Sequence, residues 1–228
     1  MDLLPAAASL SRFVAMGDSL TAGRGDFGAD GTPIGWAQRL AVILSQHTGV
    51  PCQLTNLAFD GAKVGAVLSR QLPRLTELAG RGDGAGPDLV SLTVGINDIK
   101  APDFCADQFA ADFGRLLAAL ASTGATVLTC TLPDIAGVVS LPPEYVEVAR
   151  QRLELASDII REQSAERGAR CLDTWAMREV TRRPDLFTSD RLHPNAAGHR
   201  MLAEQFASLL LPPEQTAGNA GRGRPCSD

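Results

Sequence analysis

Apolar residues in this chain come in short blocks that stop abruptly at polar turns. Phe13-Val14-Ala15-Met16 breaks at Gly17-Asp18-Ser19, and residues 88–94 are nearly continuous apolar and β-branched, the pattern of a strand buried on both faces of a parallel sheet. Residues 52–57, 126–130 and 170–172 read as further strands. Between these blocks the period becomes helical. Trp36, Leu40, Ile43 and Leu44 share a face over 36–46, and a second helix is expected over about 64–78. Phe109, Phe113, Leu116, Leu117 and Leu120 line a helix over 105–122, residues 144–167 form a long one, and Met201, Leu202, Phe206, Leu209 and Leu210 serve the core from a last helix over 196–211. Each crossover helix must cover one face of the sheet, so the alternation predicts an α/β protein of three layers, α/β/α, with five mostly parallel strands.

The connections carry their own pattern. Residues 22–35 hold five glycines and read as a loop over the edge where Ser19 sits. Residues 133–143 are unusually apolar for a loop and either line an acyl pocket or pack over a helix end. Residues 174–189 are mixed, and 80–87 is a flexible connection.

Length and charge narrow the picture. A chain of 228 residues suits one core, read as a single domain over 1–211 with an N-terminal arm at 1–11 and a flexible tail at 212–228. A net charge of −5 without a dense Lys/Arg cluster argues against nucleic acid as a partner. The five cysteines are an odd number, widely spaced and without a C-x-x-C pair; they suggest buried thiols, with no metal site and no disulfide framework. No apolar run approaches the roughly 20 residues that span a bilayer. The N-terminus lacks the basic region of a signal peptide, so a cytoplasmic protein is expected, although secretion by way of a removed leader would read the same. Nothing in the sequence sets an oligomeric state.

Four polar junctions fall where strands give way to loops: Ser19, Gly61, Asn97 and the segment Ser189-Asp190-Arg191-Leu192-His193-Pro194-Asn195. Strand ends are where open α/β sheets collect ligands. Acyl transfer needs these residue types, because a serine hydroxyl is a weak nucleophile until a histidine takes its proton. The histidine in turn needs an orienting carboxylate, and the oxyanion needs fixed donors. Ser19, His193 and Asp190 fit the first three roles, and the Ser19 and Gly61 backbone N–H groups with the Asn97 amide fit the last. Taken singly, each has a plainer reading: Ser19 in a strand-ending turn, Asn97 as an Asx turn or helix cap, Asp190 as a cap of the last helix, His193 as a loop histidine. His47 and His199 read as ordinary, and Asp18 and Asp98 as turn residues.

Together the blocks resemble the SGNH hydrolases, or GDSL esterase/lipase family. Gly17-Asp18-Ser19-Leu20 is similar to its nucleophile block and 56–61 to its glycine block. Gly95-Ile96-Asn97-Asp98 is similar to its G-x-N-D block and Asp190-Arg191-Leu192-His193 to its D-x-x-H block, all in family order. The resemblance implies a flavodoxin-like sheet with strand order 2-1-3-4-5. It also implies a serine esterase acting on small-molecule or acylated ester substrates without metal or cofactor, with Ser19, Asp190 and His193 catalytic and Ser19, Gly61 and Asn97 forming the oxyanion hole. G-x-S-x-G is absent, so an ordinary α/β-hydrolase is not indicated. Asp60 and Lys63 flank Gly61 where the family often has small or hydroxyl residues, which makes this block the least tidy. No motif selects among short acyl esters, sugar acetates, lysophospholipids and thioesters. Acyl transfer to another acceptor is the runner-up. A non-catalytic binding module is weaker, because Ser19, Asn97 and His193 are all present.

Overall fold

A computed structural model describes residues 10–80 and 86–212. Most of the expected N-terminal arm, part of the 80–87 connection and nearly all of the expected tail lie outside the described residues. The chain runs β1 (Arg12–Gly17), α1 (Ser19–Ala22), α2 (Gly35–Thr48), β2 (Gln53–Asn56) and α3 (Val64–Ala66). A π-helical turn (Val67–Gln71), α4 (Leu72–Ala79), β3 (Leu89–Thr93), α5 (Ile96–Ile99), α6 (Ala106–Ala121) and β4 (Thr126–Cys130) come next. The last elements are α7 (Pro143–Glu166), β5 (Arg170–Leu172), α8 (Arg178–Thr181), a 3-10 turn (Pro184–Leu186) and α9 (Ala196–Leu210).

The sheet is parallel throughout, in the order β2-β1-β3-β4-β5, as the resemblance implied. Strand side chains alternate between its faces. Phe13 and Ala15 of β1, Leu89 of β3 and Leu128 of β4 point to the layer of α2 and α9, where Trp36 stacks on Phe206 with ring centroids 4.4 Å apart. Val14, Met16, Val90, Leu92 and Val127 point to the other layer, against α4, α6 and α7. Burial on both faces explains why the central strands read as unbroken apolar runs. The edge strand β2 exposes Gln53, Thr55 and Asn56.

Several expectations were refined or corrected. The helix expected over 64–78 is present over 64–79 and carries a π-helical turn inside it. The apolar 133–143 connection serves both expected uses: Ile135 and Ala136 are buried in the core with Val138 and Val139 packed beside them, and Pro133 lines the cavity described below. Of the four described cysteines only Cys130 is buried, and Cys105 is exposed. Among the described residues, no helix is long and apolar enough to cross a membrane.

Candidate active site

The approach to Ser19 is built by close packing of β1 on β3. Gly17 has φ +148, and a Cβ there would lie 2.2 Å from the Thr93 carbonyl oxygen, so the position admits only glycine. The hydroxyls of Thr21 and Thr93 hydrogen-bond across the same contact. Gln71, 2% exposed at the end of the π-helical turn, accepts from the Gly17 N–H at 2.8 Å and donates to the Gly17 carbonyl at 2.7 Å. Both backbone groups of the last strand residue are thereby satisfied where the ladder ends. Asp18 is the N-cap of α1, its carboxylate accepting from the Leu20 N–H at 3.1 Å. Ser19 is the first helical residue, and its backbone N–H is one of the donors that a helix leaves without an intrahelical partner.

His193 and Asp190 stand on a tight loop closed by an antiparallel bridge between Phe187 and Pro194. Within it the Thr188 N–H donates to the His193 carbonyl at 2.8 Å, and Arg191 takes a left-handed conformation at φ +60. Asn195 anchors the loop to α9 as its N-cap, accepting from Ala197 and Gly198 while its amide donates to the carbonyls of Asp185 and Phe187. The loop brings His193 Nε2 to 2.9 Å from Ser19 Oγ and His193 Nδ1 to 2.7 Å from Asp190 Oδ2. Because Nδ1 faces a carboxylate it carries the proton, which leaves Nε2 free to accept from the serine hydroxyl. The other Asp190 oxygen accepts from Thr188 Oγ1 at 2.7 Å and from the N–H groups of Leu192 and His193, each at 2.9 Å. Burial alone would raise the Asp190 pKa; these donors and the imidazole outweigh it and hold the carboxyl well below its ordinary range.

Gly61, at φ +77, and Asn97, in α5, line the same cavity as Ser19 and His193. Asn97 is not a helix cap. Its side-chain amide donates to the Ala62 carbonyl at 3.1 Å, with Asp18 Oδ2 farther off at 3.5 Å. Arg152 of α7 fastens α5 by donating to the carbonyls of Ile99 and Ala101. Asp60 is engaged in an ion pair at 2.8 Å with Arg24, which itself lines the cavity. Asp98 bonds the Val64 N–H at the start of α3 with both oxygens at 3.2 Å, a cap reaching across from another element. Burial pushes the Asp98 carboxyl up to about 6 and, with help from Asp98's charge, that of the 5% exposed Asp18 up to about 7.

The structure thus gathers all five sequence candidates, Ser19, Gly61, Asn97, Asp190 and His193, around one cavity of about 320 Å³ or on the loop beside it. His199 is not among them. It is fully buried, Nδ1 accepting from the Trp36 N–H at 3.1 Å and Nε2 donating to the Arg24 carbonyl at 2.9 Å, so it pins the 22–35 loop to α9 as a neutral ring. Burial holds its pKa below the ordinary histidine value. Sequence reading missed Gln71 and Thr188. The Thr188-x-Asp190 spacing was a usable signal for the second, whereas nothing distinguishes Gln71 from a surface glutamine. Among the described residues, no group of three or more His, Cys, Asp or Glu side chains is placed to hold a metal ion.

A parallel α/β sheet with a serine just past its first strand, linked to a histidine and a carboxylate on the loop before the last helix, has the build of an ester-cleaving α/β enzyme. The model of the GDSL-like lipase/acylhydrolase family matches residues 15–201, and the chain belongs to that family as a carboxylic ester hydrolase. It is 26% identical over 208 residues to an acetylxylan esterase of Geobacillus stearothermophilus, covering 84% of this chain and 90% of the relative. Among solved structures, an acetylxylan esterase from the same organism superposes with a TM-score of 0.69 at 21% identity, covering 88% of this chain and 94% of the other. An α/β hydrolase enzyme from the metagenome of Lake Arreo, Spain, superposes with a TM-score of 0.69 at 23% identity, covering 87% and 94%. These structural likenesses speak for the fold.

Proposed function

We propose that the chain hydrolyses small carboxylic esters through an acyl-enzyme on Ser19. His193 Nε2 takes the hydroxyl proton as Ser19 Oγ attacks the ester carbonyl carbon. The carbonyl oxygen, now negative, is held by the Ser19 and Gly61 N–H groups and the Asn97 amide, worth most in a site from which water is largely excluded. Collapse of the tetrahedral intermediate breaks the bond to the alcohol, which leaves with the proton returned by His193. Water then enters, His193 takes its proton, and the acid is released with Ser19 regenerated. Asp190 keeps the ring in the productive tautomer and stabilises the imidazolium formed at each attack.

The observation that carries this reading is the unbroken chain Ser19 Oγ, His193, Asp190 at 2.9 and 2.7 Å. Its test is a fluorophosphonate label mapped by mass spectrometry, beside p-nitrophenyl ester hydrolysis by wild type and Ser19→Ala. Labelling at Ser19 with loss of turnover in the variant is expected. Labelling of another serine, with Ser19→Ala fully active, overturns the assignment. Quantifying free acid against acylated acceptor in a glycerol-supplemented assay separates hydrolysis from acyl transfer.

A further inference from the structure

The cavity at Ser19 is larger than an acetyl group requires, and its walls differ from side to side. Asp18, Gly61 and Asn97 give it a polar side beside the nucleophile. Most of the remaining lining is apolar, from Leu20 of α1, Met177 and Val180 around α8, Leu186 of the 3-10 turn, and Met201 and Leu202 of α9; Thr181 of α8 and Gln205 of α9 are polar exceptions, and Arg24 and Lys100 also reach the cavity. Leu186 and Cys130, also in the lining, are each only 5% exposed, so this part reaches beneath the surface. At about 320 Å³ the cavity is within the range of ordinary small-molecule sites, and a largely apolar space beside a few convergent polar groups is their usual build. Of the 133–143 connection, whose apolar residues were the candidates for a pocket, Pro133 lines the cavity, while Ile135 and Ala136 go into the core.

Resting on the esterase reading above, we propose that the chamber between α1, α8 and α9 receives a medium-length hydrocarbon chain of the ester, and that the preferred substrates are medium-chain esters. The same chemistry can come from the acyl group or from the alcohol, and two substrate series tell them apart. One is p-nitrophenyl esters from acetate through butyrate, hexanoate and octanoate to laurate. The other is the acetates of ethanol, butanol, hexanol and octanol, followed by acid release. Each methylene taken into the chamber should raise kcat/KM roughly fourfold until the chamber is full. A rise in the first series places the acyl chain there, and a rise in the second places the alkyl group of the alcohol. Leu202→Trp and Val180→Trp each narrow the chamber from a different wall, and either should lower the ratio of octanoyl or octyl to short-chain turnover at least tenfold. The wild-type series need no variant to fold. Flat or falling kcat/KM from the shortest member in both series, with acetates still cleaved in a Ser19-dependent way, overturns the chamber and leaves the esterase reading standing. Wild type inactive on every ester overturns both.

Discussion

Asp18→Asn isolates the energetic effect of a buried carboxyl next to Ser19 in the chain. The side chain is 5% exposed, and its one close backbone donor is the Leu20 N–H at 3.1 Å. An asparagine oxygen can accept that bond as well, so the substitution changes charge with little change in shape. Burial moves the carboxyl from an ordinary 3.8 to about 7. A group whose pKa is higher in the fold than in the unfolded chain favours the fold while it stays protonated, and that advantage is lost as pH rises through the folded value. The wild type therefore loses stability, relative to the variant, between about pH 4 and pH 7, and the difference is level outside that window. At about 1.4 kcal/mol per pKa unit the ceiling is about 4 kcal/mol, and local relaxation on ionisation brings the expected gain to roughly 1–4 kcal/mol. Urea unfolding of both proteins from pH 4 to 8 measures it. Carboxyls such as Asp98 titrate in both and largely cancel. A stability difference that does not change with pH would refute the reasoning, because it would mean that Asp18 ionises in the fold as readily as in the unfolded chain.

Asn97→Ala removes one preorganised donor and should lower kcat by roughly 10²–10³ while changing KM comparatively little, as steady-state kinetics will show; a pure KM effect contradicts the role. Asp190→Asn, which loses the carboxylate that fixes the His193 tautomer, should lower kcat by roughly 10²–10⁴ with the circular dichroism spectrum intact. Activity should survive prolonged EDTA treatment, and recovery of a chelated, inactive enzyme on adding metal would defeat the proposed mechanism.

Much of the layout is readable in the chain because its central strands are buried on both faces and each ends at a polar turn. The 88–94 run and the break after Met16 mark β3 and β1 without ambiguity, and the strands expected at 126–130 and 170–172 match β4 and β5 residue for residue. The features that escaped reading did so for physical reasons. The segment 174–189 looked mixed because α8 has four residues and the next turn three, too few for a period to register, yet these pieces wall the chamber. His199 looked incidental because its partners, the Trp36 N–H and the Arg24 carbonyl, are backbone groups distant in the chain and carry no sequence signature. The apolar 133–143 connection looked like either pocket or packing because composition is the same for both; only its contacts decide.

The π-helical turn at Val67–Gln71 has a consequence for insertions and deletions. A π turn holds one residue more than regular winding would. Because the extra residue is taken up within the turn, removing one residue from its outer side, for example the exposed Ser69, would restore ordinary winding and leave α4 in the same phase relative to α3. Gln71 would then still face Gly17 and Leu75 would still face the core. A one-residue deletion in regular winding, by contrast, turns everything after it by about 100°, so the extra residue marks a place where this helix can change length without disturbing the strand end that carries Ser19.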